Sequence, residues 1–169
     1  MSQAEILYAK HAGVQFYKLR GDLRQVAVGN FASSLALNEA VERLLREQAA
    51  AGVLVDLREA EAMDSTHLGL VAHIGAISLE KFGEKAQVLS TQPHITRLLT
   101  AMGLEAVLEI VATADPAPLD LTPLQAPPPV PGDHAALVLR AHQELAKLSE
   151  DNANQFRALI ALLGEQGKA

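Results

Sequence analysis

GVLVDLREAEAMDSTHLGLVAHIGAISLEKFG, residues 52–83, decides the fold. GVLVDL is a continuous apolar run of strand length, bounded by Gly52 and the charged Arg58–Glu59 pair. A strand without alternation is one covered on both faces, so it is expected to be central and parallel. From Thr66 to Phe82 apolar side chains fall nearly all round a helical wheel, with Gly69 and Gly75 as small contacts and Gly83 as the stop. That pattern predicts a buried helix in spite of the propensity cost of glycine. Between strand and helix lies AMDSTHLGL, Ala62 to Leu70, which places Asp64, Ser65 and Thr66 on a strand-to-helix turn at the carboxyl edge of the sheet. Function concentrates at such edges in α/β folds.

Working outward, EILYAKH and VQFYKL are short, rich in β-formers, and separated by Gly13, which predicts a hairpin; Val26 to Phe31 is read as an extension of it. Ser33 and Ser34 offer helix caps ahead of Leu37, Ala40, Val41, Leu44, Leu45 and Gln48, an amphipathic stripe expected to end near Gly52. AQVLS predicts a short strand. Pro93 suits a first helical turn, Ile95, Leu98, Leu99 and Met102 form one face before Gly103, and VLEIV is a plausible last strand. Strands followed by alternating helix and strand give an α/β sandwich with a mixed, mostly parallel sheet, because parallel neighbours need helical crossovers.

Composition narrows the function. The 169 residues carry 14 Lys and Arg against 20 Asp and Glu, a net charge of -6, which disfavours a sequence-independent grip on phosphates; direct nucleic-acid binding is not expected. The absence of cysteine excludes disulfides, thiolate metal sites and thiol nucleophiles. The longest stretch without Asp, Glu, Lys or Arg, Ser65 to Leu79, is 15 residues, short of a membrane span, and MSQAEILYAK lacks the features of a secretory signal. A cytoplasmic protein is expected, without membrane partners.

Seven of the eight prolines lie between Pro116 and Pro131, a stretch expected to run extended without helix or ladder strand. This divides the chain into residues 1–112, a linker over 113–132, and a helical extension over 133–169. The extension has Asp133 as its expected cap and a seam of Val138, Ala141, Leu145 and Leu148; Phe156, Leu159, Ile160 and Leu163 serve its second half better than a strict heptad does. The phase shift at SEDN, with Ser149 able to cap, predicts a kink or two short helices. Such a stripe must be buried on its own domain, on a second copy or on a regulator. A homodimer through this extension is the preferred expectation.

Taken by position, Asp64 or Ser65 needs to do no more than cap its helix. A hydroxyl there is nevertheless exposed beside free N–H groups at the positive end of a helix dipole. Asp64, Ser65 and His67 supply the residue types of a hydrolytic triad, but they are too close in sequence on one turn to orient one another. No P-loop, G-x-S-x-G or G-x-G-x-x-G occurs, and no pair of the six histidines has metal-ligand spacing; neither enzyme activity nor a cofactor is expected.

The order hairpin, GDL at Gly21 to Leu23, capped helix, VLVDL, DSTHLGL, then AQVLSTQPHITRLLTAMGLEAVLEI resembles the STAS domain of bacterial anti-sigma factor antagonists over residues 4 to 112. In that family a D-S-S/T-G-L-G motif follows the third strand. The resemblance implies a STAS-like α/β fold, with Ser65 as phosphoacceptor and Thr66 as the alternative. Asp22, Asp64, Thr66 and His67 are implied partner-binding residues. It further implies an anti-sigma factor/serine kinase, which brings its own magnesium and ATP, and a cognate phosphatase as partners. His67 stands where the family usually has Gly, and Arg24 where an acid is frequent. A different class stays open: an unphosphorylated STAS scaffold subunit of a transport or signalling assembly.

Overall fold

The computed structural model describes residues 2–24, 31–48, 51–114 and 119–167. Strands β1 (Glu5–His11) and β2 (Val14–Leu23) form the expected hairpin, while most of the stretch Val26 to Phe31 lies outside the described residues. Helix α1 (Ala32–Arg46) leads to β3 (Gly52–Asp56), β4 (Ala60–Met63) and α2 (Ser65–Phe82). Then come β5 (Ala86–Leu89), α3 (Pro93–Ala101), a 3-10 turn at Leu104–Ala106, β6 (Leu108–Val111), β7 (Thr122–Pro123), α4 (Asp133–Ala146) and α5 (Glu150–Gln166).

The sheet runs β6-β5-β3-β2-β1-β7, with β4 also paired to β2. The pairs β2–β3, β3–β5, β5–β6 and β2–β4 are parallel, and β1 is antiparallel to both its neighbours. β3 is therefore central, as its unbroken apolar run requires. Val53 and Val55 enter the main core, and Leu54, on the other face, is also buried.

Gly21 makes the turn to the functional edge possible. Its φ of +84° is a left-handed conformation, and a Cβ there would stand 2.2 Å from the Gln3 carbonyl oxygen. At this point the register shifts and β2 leaves β3 to pair with β4. Strand β4 was not expected: AEAM is short and lacks β-branched residues, and it pairs only because β2 continues past the end of β3.

Helices α1 and α2 close one face of the sheet, with Leu37, Ala40, Val41 and Leu44 from α1 and Leu70, Val71, Ile74 and Ile77 from α2 in one core. α2 is the buried helix the wheel predicts, and Gly83 at φ +71° ends it. Three expectations are corrected. α1 begins at Ala32 with Phe31 as its cap and ends at Arg46; the Ser33 and Ser34 hydroxyls cap nothing, bonding His67 and the Phe31 carbonyl instead. Leu45 and Gln48 are exposed, Leu45 on the outer face of α1 and Gln48 because the helix has already ended at Arg46. The proline-rich stretch does carry a ladder strand: Thr122 and Pro123 pair with Tyr8 and Leu7 at the sheet edge, where a proline is tolerated, and Leu124 N–H donates to the Ile6 carbonyl.

The extension breaks where the phase shift predicts, with Ser149 Oγ accepting from Asn152 N–H to cap α5. Gly132, not Asp133, occupies the cap position of α4, and Asp133 turns back to accept from Val130 N–H. Leu137, Ala141 and Leu145 are buried with Phe156 in the same core as α2, while Val138 and Leu148 pack at its margin. The first half of the apolar seam is thus satisfied within one chain, whereas Leu159 and Leu163 of α5 are only partly buried and Leu162 is exposed.

Candidate functional site

Asp64 caps α2 in an extended conformation, its Oδ1 accepting from His67 N–H at 3.0 Å and facing His67 Nδ1 at 2.7 Å. Its own N–H donates to the Leu23 carbonyl, which ties the cap to the end of β2. The ring of His67 is fully enclosed and its Nε2 lies 2.9 Å from Ser33 Oγ. Since the carboxylate can only accept, Nδ1 carries a proton, and the ring links the first turns of α1 and α2. Ser33, His67 and Asp64 follow the bonding order of a hydrolytic triad, built with a different serine from the one adjacent in sequence. The imidazole is enclosed, and the chain of bonds ties the first turn of α1 to that of α2 as a strut.

Ser65 is the first residue of α2 and partly exposed. Its Oγ lies 2.9 Å from Nε2 of His142, on α4. His142 Nδ1 is 2.7 Å from the Val138 carbonyl, an acceptor, so Nδ1 carries a hydrogen and Nε2 is the ring atom that meets the Ser65 hydroxyl. The ring of His142 is buried and meets Phe156 edge-on at 5.0 Å. Thr66 is 5% exposed. Thr66 and His67 therefore turn their side chains inward, and Ser65 is the hydroxyl of this turn nearest to solvent.

Asp22 lies on the same edge, paired in register with Ala62. Arg24 grips it with two bonds of 2.7 Å, Nε to Oδ1 and Nη2 to Oδ2, and this hydrogen bonding holds the carboxyl below its usual range. Arg24, which replaces an expected acid, thus neutralises Asp22 rather than adding charge. His134, at the start of α4, stacks on Phe31 at 3.6 Å; burial lowers its proton affinity and the nearby Asp64 carboxylate partly opposes that.

The edge is therefore formed by Asp22, Arg24, Asp64 and Ser65 of the sheet-bearing part and by His134 and His142 of α4. The last two were missed because their neighbours on this edge lie far off in sequence, 77 residues in the case of Ser65 and His142, and such a separation carries no local signal. An open depression of about 1260 Å³, lined by Phe16, Leu54, Gln87 and Glu109 among others, lies elsewhere and includes none of these residues. Among the described residues no three His, Asp or Glu side chains converge as a metal site, and no helix is long and apolar enough to cross a membrane.

No protein-family model and no curated sequence matches the chain. A solved structure does: an anti-sigma factor antagonist from Mycobacterium paratuberculosis superposes with a TM-score of 0.51 at 19% identity, covering 66% of this chain and 87% of that one. The chain has the STAS fold. The Bacillus cell fate determinant SpoIIAA in its phosphorylated form matches with a TM-score of 0.41 at 18% identity, covering 63% of this chain and 91% of that protein. The STAS fold accounts for about two thirds of the chain.

Proposed function

We propose that this protein is a phosphorylation-regulated anti-sigma factor antagonist of the cytoplasm that works by partner switching. Unmodified, it binds an anti-sigma factor/serine kinase; phosphorylated on Ser65, it releases that partner, and a phosphatase restores the bound form. The observation that carries this reading is the position of Ser65. Its partly exposed hydroxyl opens the first turn of α2, directly after the Asp64 cap and at the edge shared with Asp22.

The switch has a sound physical basis. A phosphate adds about -1.5 to -2 charges, which a helix N-terminus tolerates but the Asp64 carboxylate repels. Taking a partner from almost fully bound to almost fully free requires about 5.5 kcal/mol of differential affinity, and a desolvated, unpaired phosphate in an interface supplies energy of that order. Catalysis belongs to the partners, with ATP and magnesium at the kinase.

The bond from Ser65 to His142 favours a second reading, a STAS scaffold subunit that is never phosphorylated, since the hydroxyl already has a partner. Intact-mass measurement and peptide mapping of protein from its native host separate the two. A phosphate on Ser65 supports the switch, and an unmodified chain under every growth condition supports the scaffold. A Ser65→Glu variant that binds the captured partner as tightly as wild type overturns partner switching.

A further inference from the structure

The extension lies outside what the STAS fold explains, yet it is seated on the one turn of the chain that carries the candidate phosphoacceptor. Leu137, Ala141 and Leu145 of α4 are at most 1% exposed, and they are buried against α2 itself. The approach is close at Gly69: a Cβ there would stand 2.2 Å from the Ala141 carbonyl oxygen and 2.5 Å from its carbon. Phe156 of α5 braces His142 from behind, and Asn152 donates to the carbonyls of Met102 and Leu145 at 2.9 Å each, fastening α5 to the end of α3 and to α4. Upstream, the pairing of Thr122 and Pro123 with β1 anchors the connection, so an α4 that lifts off stays tethered close to its seat.

We infer that the α4–α5 hairpin is an intramolecular occupant of the Ser65 face, and that a phosphate on Ser65 expels it. The inference rests on reading Ser65 as a modified residue. In the docked state the Ser65 hydroxyl sits 2.9 Å from Nε2 of the buried His142 ring, which the Val138 carbonyl holds through Nδ1. Phosphoryl transfer forms a bond from Ser65 Oγ to the γ-phosphorus of the kinase's ATP and breaks that phosphorus's bond to ADP. The hydroxyl proton passes to the kinase. The product carries three more oxygens on Oγ where docked α4 leaves a buried ring 2.9 Å away, and it places their charge beside the Asp64 carboxylate, so the phosphate competes with α4 for the space over the turn. Docking of α4 thereby sets how readily Ser65 is reached, and modification in turn weakens docking.

The chain has no cysteine, so Leu137→Cys places a single thiol under α4, and Val55→Cys in a second chain places one in the sheet. Each is prepared with serine and with genetically encoded phosphoserine at position 65, and maleimide labelling rates are compared. Phosphoserine is expected to speed labelling of the Leu137→Cys thiol at least tenfold and to leave the Val55→Cys thiol protected. Hydrogen exchange of residues 133–146 in the cysteine-free chain is the companion measurement, with the same expected acceleration. Equal protection of α4 in both forms overturns the inference, as does opening of the sheet in step with α4. No kinase is needed, so finding unmodified Ser65 in the native host ends the phosphoregulation reading and leaves this result standing.

Discussion

Ser65 and His142 are 77 residues apart, and a 2.9 Å bond between Oγ and Nε2 joins the head of α2 to the middle of α4. The bond is mostly shielded, because the ring is buried and Ser65 only partly exposed. A neutral hydrogen bond of this kind contributes about 0.5–1.5 kcal/mol net. A double-mutant cycle with Ser65→Ala and His142→Phe, read by urea denaturation, should return a coupling energy of about that size. Strict additivity would show that the two side chains are neighbours without a bond.

Gly69 decides between two opposed effects. Alanine is favoured over glycine in a helix interior by about 1 kcal/mol, so Gly69→Ala stabilises α2 if nothing lies over it. With α4 docked, the new methyl meets the Ala141 backbone at 2.2 Å, and backbone cannot rotate aside as a side chain can. Overpacking of this sort costs about 1–3 kcal/mol. We expect net destabilisation, or else undocking of α4 with faster hydrogen exchange over residues 133–146. A melting temperature above wild type with α4 still protected would contradict the packing.

The strut of Ser33, His67 and Asp64 should behave as structure and not as chemistry. His67→Phe keeps a ring of similar shape but leaves Ser33 and Asp64 without their bond to it, at a cost of about 1–3 kcal/mol by urea denaturation. A fluorophosphonate probe, which labels serines activated by a general base, should leave Ser33 unmodified. Stoichiometric labelling abolished by His67→Phe would make the strut a working nucleophile.

How legible this was in the sequence depended on whether a signal was local. The unbroken apolar run of β3, the all-round apolar wheel of α2 and the phase shift at Ser149 are properties of short windows, and each appears at its expected place. Ser33 misled because its hydroxyl suits a helix cap, whereas its actual acceptor lies across the fold on His67. A strict heptad puts the polar Asn152 inside the apolar seam, where it is a buried fastener that donates to two carbonyls. Thr122 and Pro123 form a ladder strand because β1 has a free edge to receive them, a fact no window around the prolines contains. His142 and Ala141 follow the same rule: their partners, Ser65 and Gly69, are fixed by how α4 folds back.

The attachment of α4 should weaken in acid. His73, on α2, has its proton affinity lowered first by burial and then by Lys147 and Arg140, while Glu144 and Glu42 oppose the shift. Arg140 and Glu144 are on α4, Lys147 is its C-cap and Glu42 is on α1, so the ring titrates at the seam itself. His134, at the other end of α4, is lowered by burial against the pull of Asp64. A histidine whose folded value lies below its unfolded one favours the unfolded or undocked form when protonated. Its contribution is complete above the ordinary imidazole value of about 6.5 and declines as pH falls from there toward the folded value. Melting temperature and α4 hydrogen-exchange protection, the latter corrected for intrinsic exchange rates, should therefore both drop between about pH 7.5 and 5.5. The drop should shrink in His73→Gln, which cannot take up the proton. A His73→Gln chain whose stability falls as steeply as wild type over that interval would place the acid sensitivity elsewhere.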